Sequence, residues 1–163
     1  MSSELKTISI GMLGCGVVGS QVARLLQSDQ EELSKRSGAE LVLKKIGVRT
    51  AGAREGISAA LLTTDLFSVV NDPEINIVIE VLGGIEPARE LILAAIANKK
   101  SVITANKALL ATHGHELFNA ADAAGVDLYY EAAVAGAIPI IRSMRESLAG
   151  DQITRVMGIV NGT

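Results

Sequence analysis

The chain has no tryptophan, and aromatic residues make up only 2% of its 163 residues. A core built on large rings is excluded; it must be aliphatic. The single cysteine, Cys15, cannot close an internal disulfide, which points to a reducing cytoplasm. No apolar run approaches the length of a bilayer span, and the start, Met1-Ser-Ser-Glu4, lacks the apolar centre of a signal peptide. The net charge of -3 disfavours nucleic acid or an anionic membrane as the main partner. No zinc-ligand spacing, nucleophile elbow, internal repeat or low-complexity stretch is found. What remains is a 48% hydrophobic chain rich in Val, Ile, Leu and Ala, the composition of parallel sheets covered by helices. Its length fits one domain with a real core and the start of another.

The most informative run is Ile8 to Leu26, where Gly14-Cys-Gly16-Val-Val-Gly19 joins a short apolar stretch to a helical pattern. Ile8, Ile10, Met12 and Leu13 read as a buried strand. Val18, Val22, Leu25 and Leu26 fall at i, i+4, i+7 and i+8, which predicts one buried helix face. A helix opening on this turn aims unpaired backbone N–H groups and the positive end of its dipole at a phosphate. Gly14 allows the tight turn, Gly16 the approach of a pyrophosphate, and Gly19 close packing of helix on strand. The turn thus predicts dinucleotide binding, with a purely structural turn as the alternative.

Strands and helices alternate along the rest of the chain. Strands are expected at Glu40–Arg49, Ile75–Leu82, Ser101–Thr104 and Val126–Ala132. Helices are expected at Asp65–Asn71, after Pro87 with Ala88, Leu91, Ile92, Ala95 and Ile96 buried, and at Ala108–Ala124 with an interruption at Gly114. Lys99 and Lys100 sit where they suit the C-terminus of the Pro87 helix. Ser28–Gly38 reads as helix extension or loop, and Thr50–Ile57 as a mobile surface loop. Pro139 opens a last helix with Ile141, Met144 and Leu148 on one face, and Ile153–Val160 alternates like a strand with nothing left to pair it. The expected fold is α/β, a Rossmann-type doubly wound parallel sheet with helices on both faces. It occupies residues 1–135, and residues 136–163 begin a truncated second domain.

In such a sheet ligands bind beyond the carboxyl ends of the strands. This singles out the glycine turn, Arg49, Gly83-Gly84 and Thr104–Lys107. Arg49 stands where NAD-selective folds commonly place an acid for the ribose 2′-hydroxyl. An arginine there suits a 2′-phosphate, so NADP is favoured over NAD, with Arg54 as an aid from the loop; a solvated arginine is the alternative. Lys107 follows a strand directly and can orient a carbonyl, donate a proton to an alkoxide or bind ribose; an exposed lysine at a helix start is the other reading. Asn106 reads as a helix cap. Glu131 is an acid in an apolar stretch, either solvated or functional. Cys15, His113 and His115 are read as structural or surface residues.

Four segments together resemble homoserine dehydrogenase: Gly14-Cys-Gly-Val-Val-Gly19; Glu80-Val-Leu-Gly-Gly84 with Glu86-Pro87-Ala88; Val102-Ile-Thr-Ala-Asn-Lys107; and Glu131-Ala-Ala-Val-Ala-Gly-Ala-Ile-Pro139. They occur in that family's order, and Asn161-Gly-Thr163 fits its entry into the substrate domain. The resemblance implies an NAD(P)-dependent oxidoreductase interconverting L-aspartate 4-semialdehyde and L-homoserine, on the route to threonine, methionine and isoleucine. It implies Lys107 as an active-site lysine near cofactor and substrate. Cofactor contacts would come from Leu13, Gly14, Gly16, Val17, Val18, Gly19, Arg49, Arg54, Gly83, Thr104 and Lys107, and substrate contacts from Gly162 and Thr163. A monovalent cation, usually sodium, would be held by main-chain carbonyls of Glu131, Val134, Gly136 and Ile138. The implied whole protein is a cytoplasmic homodimer acting on a small molecule, of which this chain is the cofactor part, inactive alone.

Two other readings share the glycine turn. Aspartate-semialdehyde dehydrogenase needs a cysteine nucleophile, and the one cysteine lies inside the turn. A non-enzymatic nucleotide-sensing module would have no use for Thr104-Ala-Asn-Lys107 or the segment running to Pro139.

Overall fold

A computed structural model describes residues 5–136 and 138–159. The first strand, β1 (Lys6–Leu13), alternates its side chains into two cores: Ile10 and Met12 to one face of the sheet, Leu13 to the other. The chain then passes through α1 (Val17–Ser28), α2 (Gln30–Ser37) and β2 (Ala39–Gly47). Next come a two-residue β3 (Leu62–Thr63), α3 (Phe67–Val70), β4 (Ile77–Glu80) and α4 (Ala88–Ala97). The order ends with β5 (Ser101–Thr104), α5 (Lys107–Ala124), β6 (Leu128–Tyr129) and a short α6 (Ile140–Arg142) that runs into a π turn at Ser143–Ser147. All the strand pairings are parallel, in the order β3-β2-β1-β4-β5-β6. This is the doubly wound order, whose switch point falls between β1 and β4.

One face carries α3, α4 and α5. There α4 buries Ala88, Leu91, Ile92, Ala95 and Ile96, the five residues its periodicity predicts, and α5 adds Leu109, Leu117 and Ala121. The opposite face carries α1, which packs Ala23 and Leu26 with Ile10, Met12, Leu43 and Ile46. Helix cover on this face is incomplete. Over β5 and β6, Ile103 and Tyr129 line a cleft of about 740 Å³ whose far wall is Ile141, Arg142 and Arg145.

Several expectations are corrected. Of the expected face of α1, Leu26 is buried and Val22 packs against the core, while Val18 and Leu25 give way to Gly19 and Ala23. Val18 and Leu25 are exposed, because small residues at 19 and 23 let the helix lie closer on the sheet than a valine stripe would. Within Ser28–Gly38, residues Gln30–Ser37 form a separate helix, α2, closed by Gly38 in the left-handed conformation. The Thr50–Ile57 loop is anchored: Ile57 is buried and pairs with Arg54, while Arg24 donates to the Glu55 carbonyl. Helix α5 runs unbroken through Gly114, which is buried; packing of Leu109, Leu117 and Ala121 outweighs the roughly 1 kcal/mol cost of an internal glycine. The strand expected at 126–132 shortens to Leu128–Tyr129, matching its two partners Val102 and Ile103, and turns into a 3-10 turn at Glu131–Ala133. Residues 153–159 form no strand, since an unpaired strand leaves its backbone groups unsatisfied; Val160 lies outside the described residues.

Candidate functional site

The site is built where β1 and β4 leave the sheet side by side. In register, Leu13 stands opposite Glu80, and Glu80 opposite Thr104, so three strand ends meet at one edge. Leu13 is fully buried and its carbonyl accepts from Val81 N at 2.8 Å, so it supports the turn from below. Gly14 (φ +104°) follows, bonded through its N–H to the Gly47 carbonyl at 2.8 Å. A Cβ on Gly14 would lie 2.6 Å from the Val81 oxygen, and one on Gly19 only 2.4 Å from the Gly14 oxygen. Those two glycines serve packing. Gly16 is different: a Cβ there would meet nothing within 4 Å.

Gly16 is also the N-cap of α1, and no side chain accepts the first-turn N–H groups; no acid sits in that turn either. Val17 and Val18 stand 87% and 58% exposed beside it. Free N–H groups, a positive dipole end and open space over Gly16 make a seat for a phosphate. Cys15 is buried among the apolar residues beneath and is no nucleophile in waiting.

The next strand end brings the exit loop of β4. Glu80 is fully buried, and its Oε1 accepts from Leu82 N at 2.8 Å and Gly83 N at 3.3 Å. Its Oε2 accepts from the Thr104 hydroxyl at 2.6 Å. Thr104 is itself buried, and its Oγ1 accepts from Asn106 N at 3.1 Å, so this residue lies beneath the site surface. Asn106 caps α5 as expected, its Oδ1 accepting from Leu109 N, and its Nδ2 also donates to the Gly84 carbonyl at 2.6 Å. The second bond was not legible from the sequence. Neither was Glu80's role, though an acid inside the apolar run Ile75–Leu82 was a signal that could have found it.

Lys107, the first residue of α5, is exposed, and its ammonium pairs with no group among the described residues. Arg49, just past the end of β2, is likewise exposed, with no hydrogen bond or ion pair among the described residues. Arg54 differs. Its guanidinium donates to the carbonyls of Thr50, Gly52 and Ala53, so it braces its own loop. Gly83 is exposed, with open space where a Cβ would stand. Behind the exit loop, Arg89 joins α4 to α5 through both oxygens of Glu116, holding that carboxyl below the usual carboxylate range.

The Glu131 carboxylate is half-buried and engaged within the chain. Its two oxygens accept from Ile141 N at 3.0 Å and Arg142 N at 2.7 Å, capping α6. Its main-chain carbonyl closes the 3-10 turn to Val134 N, and Ile138's accepts from Ile140 N. Ala135 and Gly136 between them are left-handed. Gly162 and Thr163 lie outside the described residues. His113 bonds Thr112 and His115 bonds Asn119, and no His/Cys/Asp/Glu cluster that could hold a metal exists among the described residues.

Fold and site together define a dinucleotide-binding domain of the doubly wound class. The family described as "Homoserine dehydrogenase, NAD binding domain" matches residues 14–131. Homoserine dehydrogenase of Mycobacterium bovis is 52% identical over 163 residues, all of this chain and 37% of the relative. That of Corynebacterium glutamicum is 53% identical over 157 residues, 96% of this chain and 35% of the relative. Among solved structures, a homoserine dehydrogenase from Thiobacillus denitrificans superposes with a TM-score of 0.83 at 49% identity, covering 90% of this chain and 34% of that one. The chain belongs to the homoserine dehydrogenase family, carries its nicotinamide-dinucleotide-binding domain, and spans about a third of the relatives' length. No helix among the described residues is long and apolar enough to cross a membrane.

Proposed function

We propose that this chain is the cofactor-holding part of an NAD(P)-dependent oxidoreductase that interconverts L-aspartate 4-semialdehyde and L-homoserine, a step of amino-acid biosynthesis in the cytoplasm. The observation that carries the reading is the glycine turn at the β1/β4 switch point, with the unpartnered Lys107 and Arg49 at neighbouring strand ends. When bound, the nicotinamide gives or takes the hydride. The first-turn N–H groups of α1 and the open face of Gly16, flanked by Val17 and Val18, hold the pyrophosphate. Arg49 reads a ribose 2′-phosphate, which makes NADP the preferred cofactor and NAD the weaker one. Arg54, whose guanidinium donates to carbonyls of its own loop, shapes that loop and keeps its positive charge. The Lys107 ammonium, free of other partners, holds the carbonyl oxygen of the aldehyde and stabilises the alkoxide as it forms.

A monovalent cation, sodium by preference, would sit on the carbonyls of Glu131, Val134, Gly136 and Ile138. The substrate would reach Gly162 and Thr163, and the whole protein would be a homodimer with no nucleic acid or membrane partner. A boundary near residue 135 is supported by the end of the sheet at Tyr129 and by the exposure of Ile138, Val156, Met157 and Ile159 beyond it. Turnover then draws on the greater length the relatives have, and the 163 residues alone bind without reacting.

Calorimetric titration of this chain with NADPH and NADH tests the reading. Tighter binding of NADPH, lost in Arg49→Ala while NADH binding persists, is the expected result. Binding of neither nucleotide, or aldehyde-dependent NADPH oxidation by these residues at a full enzyme's rate, would overturn it.

A further inference from the structure

Capping α5 uses one atom of Asn106, the Oδ1 that accepts from Leu109 N. Serine, threonine or aspartate would do this as well. The hydroxyls are shorter and the carboxylate has no donor, whereas Asn106 spends its Nδ2 on the Gly84 carbonyl, 22 positions back in the chain. That bond belongs to a set. Glu80 holds Leu82 N and Gly83 N, Thr104 joins Glu80 to Asn106 N, and Asn106 returns to Gly84 O. Among the described residues, no backbone-to-backbone hydrogen bond ties 82, 83 or 84 to another turn. Gly83 and Gly84 both have positive φ and no side chains; Leu82 and Ile85 on either side pack against the core, and the two glycines have only polar ties. The polar ties of the β4 exit loop therefore come from three side chains, all buried, and the last of them is the residue immediately before Lys107.

We propose that Asn106 is a positioning residue: its amide ties the Gly83-Gly84 loop to the N-terminus of α5, so that the loop over the nucleotide and the Lys107 ammonium hold one fixed spacing. Cofactor binding and the aim of Lys107 are set by the same bond, with Glu80 as its anchor. The functional half of this statement rests on the reading of the site as a dinucleotide site; the mechanical half does not.

Asn106→Ser separates the two jobs, since serine keeps a capping oxygen while its single short hydroxyl replaces the Nδ2 that reaches Gly84. In this chain, Asn106→Ser is expected to melt within about 2 °C of wild type, keep the Leu109 amide protected, and yet exchange the Leu82 and Gly83 amides at least about tenfold faster. NADPH affinity should fall about tenfold in parallel. Asn106→Ala should lose the cap as well and melt lower. Unchanged exchange at 82 and 83 in Asn106→Ser would overturn the proposal, as would unchanged NADPH affinity in a wild type that binds. Loss of Leu109 protection and stability equal to that of Asn106→Ala would reduce Asn106 to a cap and overturn it too. If the wild-type chain binds neither nucleotide, the reading of the site fails by itself, and amide exchange still decides whether the tie exists.

Discussion

Strand β4 is entered through Asp72–Asn76 and left through Glu80–Gly84, and each turn contains an inward-facing acid finished in a different way. At the entry, the Asp72 carboxylate pairs with Lys44 at 3.2 Å and Lys45 at 3.0 Å, and Lys44 also bonds Glu74. Lys100, nearly fully buried, donates to the carbonyls of Asp72 and Ile75 at 2.6 and 2.8 Å, and Asn76 receives Ser9 N on its side chain. These cations each have protein partners. At the exit, Glu80 meets only neutral donors, while Lys107 and Arg49 have no partner among the described residues. Buried polar groups that a fold needs are satisfied within it. The entry turn is finished by the protein; the exit turn leaves two exposed cations, which on the function proposed above face the nucleotide.

This contrast can be broken at either end. The largest effect is expected at the glycines that pack the exit turn. Gly19→Ala drives a Cβ against the Gly14 oxygen and should cost about 2–3 kcal/mol of stability, read by denaturant unfolding, with nucleotide binding lost. At the entry, Asp72→Asn removes two ion pairs and should cost roughly 1–2 kcal/mol at neutral pH. The pH dependence follows from the same group. Lysine hydrogen bonds, Lys45's first, lower the Asp72 pKa from 3.8 to about 2. A depressed folded pKa means the contribution is complete above the unfolded value and is lost as pH falls through the folded one. Wild-type stability should therefore decline as the pH is lowered from about 5 towards 2, and Asp72→Asn should flatten that window in a pH series of melts. A slope unchanged by the substitution would show that the entry knot contributes nothing.

Gly16→Ala should have the smallest effect on stability, within about 0.5 kcal/mol, because nothing in the protein lies near the added carbon. It is nonetheless expected to weaken NADPH binding about tenfold or more, since the free space belongs to the pyrophosphate. Gly16 and Gly19 are three residues apart, and only the second should register in a melt. If both change stability equally, the division between packing and binding glycines fails.

Much of this was readable in the sequence where one physical rule dominates. Periodicity gave the buried face of α4 residue by residue, and the apolar run before Gly14 gave β1. The same rule held only in part on α1: Leu26 and Val22 face the core, but contact distance selects Gly19 and Ala23 and leaves Val18 and Leu25 outside. Lys99 and Lys100 were expected to serve the end of their own helix. Instead Lys99 donates to Ala124 O at the end of α5 and Lys100 to the β4 entry turn, partners that depend on which strands are neighbours. Glu131 as a cap for a helix ten residues on, and Asn106 as a tie to Gly84, are hidden for the same reason. Long-range partners of side chains appear only once the sheet order is known.

The sheet ends on both sides in strands of two residues, Leu62–Thr63 and Leu128–Tyr129. So short a border offers a neighbouring molecule almost no unpaired backbone on which to extend the ladder, and the domain is protected against edge-to-edge aggregation without charged or proline gatekeepers. Exposed apolar surface lies instead on side chains, at Val156, Met157 and Ile159 and over β5 and β6 at Ile103 and Tyr129, so association of this chain would run through side-chain faces and not through the backbone of its sheet edges.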